Sequence, residues 1–362
     1  MDTRMRSNNV LSKALQCIKP EIRALAGYTA PPQGTVVAKL NQNENPYDLP
    51  EEWKMAIFKQ MQQIKWPLYP EYNPGSLKNR LARRFDINEN QILLGHGSNQ
   101  LLYLIGTSVI NPGDRVIITP PTFSLFDLAI RISQGNIVNI AKQSNFSLDM
   151  DTLVPAVKTA KLILLCSPDN PTGTVIALDQ LIEILKKSSG LVLWDEAYVE
   201  FGGKSALNLL NAYPNLIISR TFSKAFGMAG LRLGHLIAHP DIIRELQKAN
   251  IPYNVNLFTL MTANYLLDHQ EWMESHVKKI IRDRKKLFDQ MQKIPQIKPY
   301  HSEANFILFE TADKHKTFEA LKSRGILIRD VGNKPPLDHC LRVTVGTPDE
   351  NKAFLEAIRN IV

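Results

Sequence analysis

The chain has 362 residues, room for about two ordinary domains, and its 44% hydrophobic and 22% charged residues suit a soluble globular protein. No apolar run reaches the ~18 residues of a membrane-spanning helix, and the N-terminus lacks the apolar core of a signal peptide. A net charge of +8 invites a nucleic-acid reading, but the basic residues are scattered outside short clusters at 80–84 and 278–286, and small anionic substrates suit the charge equally well.

In chain order, the segment up to about residue 50 is loop-rich (APPQG, NQNENPYDLP), cannot form a core alone, and is expected to pack against the C-terminal unit. The middle then alternates short apolar runs with helix-period stretches. QILLG precedes a helical NQLLYLIGTSVI; GDRVIITP precedes a helical FSLFDLAIRIS; GNIVNI follows. Next come KLILLCSPDNP, a helical LDQLIEILKKS, GLVLWDEAY, NLIISRTFS and RLGHLIAHP. This alternation predicts an α/β unit with a mainly parallel, helix-covered sheet, whose functional groups gather beyond the carboxyl ends of its strands. From about residue 256 a long amphipathic stretch gives one or two helices, its basic 278–286 run forming a solvated face. ANFILFE, TFEALKSRGILIRD, CLRVTVGTP and ENKAFLEAIRNIV then give strand, helix, strand, strand, helix. The expected division is a large domain at 51–255 and a smaller α+β domain from 1–50 plus 256–362. Of three cysteines, none lies in a CxxC pair, which argues against a disulfide framework and for a reduced, cytoplasmic protein; Cys166 reads as a small core hydrophobe.

Four stretches could carry chemistry. GHGSNQ at 95–100 follows a strand and opens a helix, so it reads either as an ordinary glycine turn or as an anion loop; it is not GxGxxG. SPDNPTG at 167–173 is either a turn or a loop presenting Asn170. In LVLWDEAYVEF, Asp195 ends an apolar strand and either caps a turn or sits desolvated, needing a cation; Tyr198 suits core or site. In SRTFSKAFGMAGLRLG, Lys224 lies among small residues with Ser223 before it and Arg232 after it. A hydroxyl and a guanidinium there can hold a phosphate while the amine attacks a carbonyl. His235 and His239 stand four apart on a strand, roughly 13 Å between them at 3.3 Å per residue, so no metal site is expected.

The order of these motifs resembles the pyridoxal-phosphate enzymes of the aspartate aminotransferase fold. LNQNENPYD, YPEYNPGSL, SPDNPTG, DEAYVEF, TFSKAFGMAGLRLG and LRVTVGTPDEN narrow the resemblance to the histidinol-phosphate aminotransferase family over nearly the whole chain. The resemblance implies that Lys224 forms a Schiff base with pyridoxal 5'-phosphate and shuttles a proton, and that Asp195 faces the pyridinium nitrogen. It implies that Tyr198 and Asn170 bond the ring hydroxyl and that Phe123 stacks on the ring in place of the usual tyrosine. Ser223, Arg232, Thr221, Gly97 and Ser98 would bind the cofactor phosphate; Tyr69 would reach the neighbouring subunit's cofactor, making a homodimer. Arg342 would take the carboxylate of glutamate or the phosphate of histidinol phosphate, with Arg329 and Tyr28 as further substrate contacts. Asn99 and Gln100 replace acidic residues common in the family, so backbone contacts are expected there.

The implied reaction exchanges L-histidinol phosphate and 2-oxoglutarate for imidazole-acetol phosphate and L-glutamate through a pyridoxamine-phosphate form. An aromatic-amino-acid aminotransferase or a phospho-amino-acid decarboxylase would share the cofactor residues. A non-catalytic binding module of the same fold would have no need of Lys224 and Asp195. No nucleic-acid or membrane partner is expected.

Overall fold

The computed structural model describes residues 13–25, 36–332 and 335–361. The strands, in chain order, are β1 (Ala38–Lys39), β2 (Ile92–Gly95), β3 (Arg115–Ile118), β4 (Asn136–Asn139), β5 (Leu162–Cys166), β6 (Leu191–Asp195), β7 (Leu216–Thr221) and β8 (Gly234–Ala238). They continue as β9 (Ile297–Pro299), β10 (Phe306–Thr311), β11 (Ile326–Leu327), β12 (Arg329–Asp330) and β13 (Cys340–Thr344).

Seven strands form one sheet in the order β2-β8-β7-β6-β5-β3-β4. β4, β3, β5, β6 and β7 run parallel, and β8 alone is reversed, antiparallel to both β7 and β2. The runs that read as continuous apolar strands are buried on both faces. Leu162, Leu164 and Cys166 of β5 point into a core with Leu101, Ile105, Phe126 and Ile243 from helices on one side. Ile163 and Leu165 point into a second core with Leu153, Val157, Leu181 and Ile184. Alternate side chains of a strand face opposite ways, so a run without polar interruptions needs cover on both sides. Each such Leu or Ile contributes about 1.5–3 kcal/mol by leaving water.

The chain leaves β3 toward the β4 edge and returns through β5 in the opposite direction. A crevice therefore opens beyond the carboxyl ends of β3 and β5, where this kind of sheet admits ligands. Because β8 runs backwards, its start at Gly234 lies at the same edge as the ends of β2 and β7: Gly95 and Thr221 both pair with it.

The amphipathic stretch after residue 256 folds as two helices, Leu257–Asp268 and Gln270–Met291. A smaller antiparallel sheet, β12-β13-β10-β9, follows. The loop-rich N-terminal stretch is not merely packed on it. β1 pairs in parallel with β11, and Leu40 continues the attachment by donating its N–H to Leu327 O and accepting from Thr344 N–H, both at 2.8 Å. Residues 41–45 are thereby laid between the small sheet and the edge of the large one. Of the cysteines, Cys166 and Cys340 are buried and Cys17 is exposed; all three are free.

Candidate active site

The glycine turn after β2 is shaped for close approach. Gly97 has φ +77°, and a Cβ there would stand 2.6 Å from a terminal nitrogen of Arg232, so a larger residue would displace that guanidinium. A Cβ on Gly234 would fall 2.3 Å from the Ser98 nitrogen. The helix Gly97–Val109 has no side-chain cap from His96, which leaves its first N–H groups to other acceptors. Arg232, held at φ +56°, donates from Nη1 to Ser223 Oγ at 3.3 Å and to Ala229 O at 3.0 Å. Thr221 Oγ1 donates to Ser223 Oγ at 2.9 Å. Gly97, Ser98, Thr221, Ser223 and Arg232 thus converge as a cradle of N–H groups, hydroxyls and one permanent cation, the donor set a phosphate requires.

Gln100 braces this turn from behind. Its Oε1 accepts from His96 N and Asn254 Nδ2, each at 3.1 Å, and its Nε2 donates to Asn250 Oδ1 at 3.2 Å. Asn99 beside it is exposed.

Asp195 ends β6 and is buried, with the Ala197 N–H donating to Oδ1 at 3.1 Å. Burial, together with the nearby carboxylates of Glu196 and Asp169, raises its acid to about 7. Lys224 is half-buried and donates to Gln42 O at 2.9 Å, its Nζ lying 5.8 Å from the centre of the Tyr198 ring. Burial, then the Arg342 guanidinium, lowers its ammonium to about 7. An ordinary lysine at neutral pH is almost wholly protonated; burial and the neighbouring guanidinium shift Lys224 toward the free amine.

The Tyr198 hydroxyl, pushed up to about 12 by burial, receives Nδ2 hydrogens from Asn43 at 3.0 Å and Asn170 at 3.4 Å. Arg342 donates from Nη1 to Asn170 Oδ1 and from Nη2 to Asn41 O at 3.0 Å, while its buried Nε has no partner. Arg329 lies directly opposite Arg342 in the β12–β13 ladder.

Lys224, Asp195, Tyr198, Asn170, Ser223, Thr221, Arg232, Gly97, Ser98 and Arg342 are therefore brought to one edge. Phe123 caps the helix Ser124–Ile132 after β3, its ring edge-on to Phe126 at 5.7 Å. Tyr69 is not among them: it is 81% exposed and stacks on Tyr253, ring centres 4.7 Å apart. Tyr28 lies outside the described residues. His235 is buried against Phe85 and kept neutral by desolvation, with neither ring nitrogen bonded, and His239 caps the helix Pro240–Ala249.

Sequence reasoning gave no role to Asn41, Asn43 or Asn45, although it quoted their motif. Asn43 also accepts from Thr344 Oγ1, its carbonyl accepts from Asn305 Nδ2, and Asn45 Nδ2 donates to Ala225 O beside Lys224. The N-x-N-x-N alternation was the available signal.

Pyridoxal phosphate fits these residues. The cradle matches its phosphate, the amine of Lys224 its aldehyde, and Asp195 is an acid that a ring cation would hold ionised.

Residues 35–358 match the family model described as aminotransferase class I and II. The chain is 33% identical over 347 residues to a histidinol-phosphate aminotransferase of Chlorobaculum tepidum, covering 95% of this chain and 100% of the relative. It is 37% identical over 327 residues to histidinol-phosphate aminotransferase 1 of Carboxydothermus hydrogenoformans, covering 90% and 93%. Among solved structures, histidinol-phosphate aminotransferase from Sinorhizobium meliloti in complex with pyridoxal-5'-phosphate superposes with a TM-score of 0.86 at 24% identity, covering 95% of this chain and 97% of the other.

Proposed function

Since the chain belongs to the class I and II aminotransferases, we propose that it exchanges the amino group of L-histidinol phosphate with 2-oxoglutarate, giving imidazole-acetol phosphate and L-glutamate. Its cofactor is pyridoxal 5'-phosphate. When bound, that group supplies an electrophilic aldehyde and a ring that accepts electrons from the substrate carbon.

The protein's own residues do the rest. Lys224, whose ammonium burial lowers to about 7, would hold the cofactor through its aldehyde and would move the proton at the substrate carbon. Asp195 would face the ring nitrogen and stabilise its positive charge in a buried setting. Tyr198 and Asn170 would orient the ring hydroxyl, Phe123 would cover the ring face, and the cradle of Gly97, Ser98, Thr221, Ser223 and Arg232 would hold the phosphate. Arg342 takes the substrate carboxylate or phosphate.

The substrate reading is supported by the buried guanidinium of Arg342, whose Nε has no partner, and by the relatives named histidinol-phosphate aminotransferase. A rigid guanidinium fork suits substrates that bear an anionic group. The test compares L-histidinol phosphate, L-glutamate and L-phenylalanine as amino donors at matched concentration, following the cofactor spectrum. The first two should react fastest. Preference for phenylalanine, or release of carbon dioxide in place of transfer, overturns the substrate. Borohydride reduction followed by peptide mass spectrometry should place the cofactor on Lys224, and an unmodified Lys224 overturns the whole site.

The same reading includes a cytoplasmic homodimer. Trp66, Leu68, Tyr69 and Tyr72 are at least half exposed along one segment, an apolar surface of the kind that protein partners cover. Tyr69 would then reach the partner's phosphate cradle. Among the described residues no helix is long and apolar enough to cross a membrane. The division into 51–255 and 1–50 plus 256–362 is part of the proposal, to be tested by limited proteolysis.

A further inference from the structure

The edge strand β4 sends no residue into the site, yet the loop beyond it holds the most completely buried ion pair among the described residues. Lys142 Nζ lies 2.7 Å from Asp169 Oδ2, with side-chain exposures of 1% and 0%. Asp169 also accepts from Thr122 Oγ1 at 2.6 Å and from Thr172 Oγ1 at 3.0 Å. Lys142 further donates from Nζ to Pro121 O at 3.2 Å and from its backbone to Pro120 O at 2.8 Å.

These bonds join three loops. Thr122 follows β3 and directly precedes Phe123. Asp169 follows β5 and directly precedes Asn170. Lys142 follows β4. The pair therefore spans the crevice where the sheet order reverses, and its two anchor points are each one residue from a group assigned to the cofactor ring. A buried ion pair is poor evidence for stability, because desolvation cancels most of its attraction. A satisfied one does hold its neighbours in a single arrangement.

We propose that Lys142 and Asp169 are positioning residues that set where Phe123 and Asn170 stand relative to the cofactor ring; this rests on the reading of the site given above. Displacement of such groups by about 1 Å costs on the order of 100-fold in rate.

The experiment uses the full-length protein loaded with pyridoxal phosphate. Two variants are compared with wild type: the double variant Lys142→Met/Asp169→Asn, which removes both charges together, and Thr122→Val, which deletes one hydrogen bond. Three quantities are read: visible circular dichroism of the bound cofactor, the cofactor dissociation constant, and the donor half-reaction rate.

The double variant should lose most of the visible dichroism, bind cofactor more weakly and react about 100-fold more slowly. Thr122→Val should move the same quantities in the same direction, with a rate loss of about two- to tenfold. Wild-type dichroism, affinity and rate in a folded double variant would overturn the proposal. If the double variant does not fold, unchanged values in Thr122→Val overturn it, and a shift supports it. Failure of the underlying site reading is seen separately, as wild-type protein with no cofactor on Lys224.

Discussion

Asn43 donates its Nδ2 hydrogen to the Tyr198 hydroxyl across 3.0 Å, joining two residues 155 positions apart. Asn43 has φ +54°, and its backbone N–H donates to Thr344 Oγ1 at 3.0 Å, so its conformation is held from the small sheet. The arm is thus a wall of the site. Asn43→Gly keeps the backbone free to adopt that conformation and removes the amide. It should lower kcat/KM by about two- to tenfold, the worth of one net hydrogen bond. Asn43→Ala adds backbone strain and should unfold with about 1 kcal/mol less stability than the glycine variant. Equal kcat/KM in Asn43→Gly and wild type would remove the arm from the chemistry.

Asp195 makes stability depend on pH with a definite sign. Its acid is raised to about 7 from an unfolded value of 3.8, chiefly by burial. The folded apoprotein therefore holds the proton more tightly than the unfolded chain does. That contribution is fully present below about 3.8 and is lost as pH rises through 7. Apo Asp195→Asn should consequently be more stable than apo wild type at pH 8, by on the order of 2–4 kcal/mol, with the gap closing toward pH 5. Bound cofactor should narrow the gap at pH 8 by supplying a cation. Thermal melts of both forms at the two pH values check this; a pH-independent difference would contradict it.

Arg342→Ala should reduce kcat/KM for L-glutamate by about 100- to 1000-fold, since about two charge-assisted hydrogen bonds to the carboxylate are lost. Arg342→Lys should restore little, because a point charge cannot reproduce a planar two-pronged contact. Steady-state kinetics with thermal melts as a folding control decide it. A loss within about threefold would assign the carboxylate to another residue.

Tyr69 offers a test between subunits. Tyr69→Ala and Lys224→Ala should each have low activity as pure proteins. Refolded together, they should regain activity, because the mixed dimer holds one site with an intact Lys224 and an intact Tyr69 from the other chain. The expected recovery is about a quarter of wild type, from half the dimers being mixed with one good site each. No recovery in confirmed mixed dimers would place Tyr69 outside the site.

The candidate site was legible in the sequence where chemistry and chain order coincide. A lysine among small residues, an aspartate closing an apolar strand and glycines after a strand each had a bland reading, and their succession along the chain separated the two. Lys142 gave no such sign. It sits after a short edge strand with no special neighbours, and its partner lies two strands away in the sheet order. Asn43 was visible as one of three alternating asparagines, but a hydrogen bond across the whole chain leaves no local mark. The reversal of β8 was also hidden, because a fully buried strand has the same apolar pattern in either direction.

By itself the sequence determined a helix-covered sheet, since its apolar runs could be satisfied only by cover on both faces, and it supplied the residue types from which the candidate site is built: an amine, an acid, hydroxyls and a guanidinium. Tertiary structure alone decided which distant groups meet. The lowered ammonium of Lys224, the raised acid of Asp195 and the enclosed Lys142–Asp169 pair depend on desolvation and neighbouring charge, and both follow from distances in space that spacing along the chain does not contain.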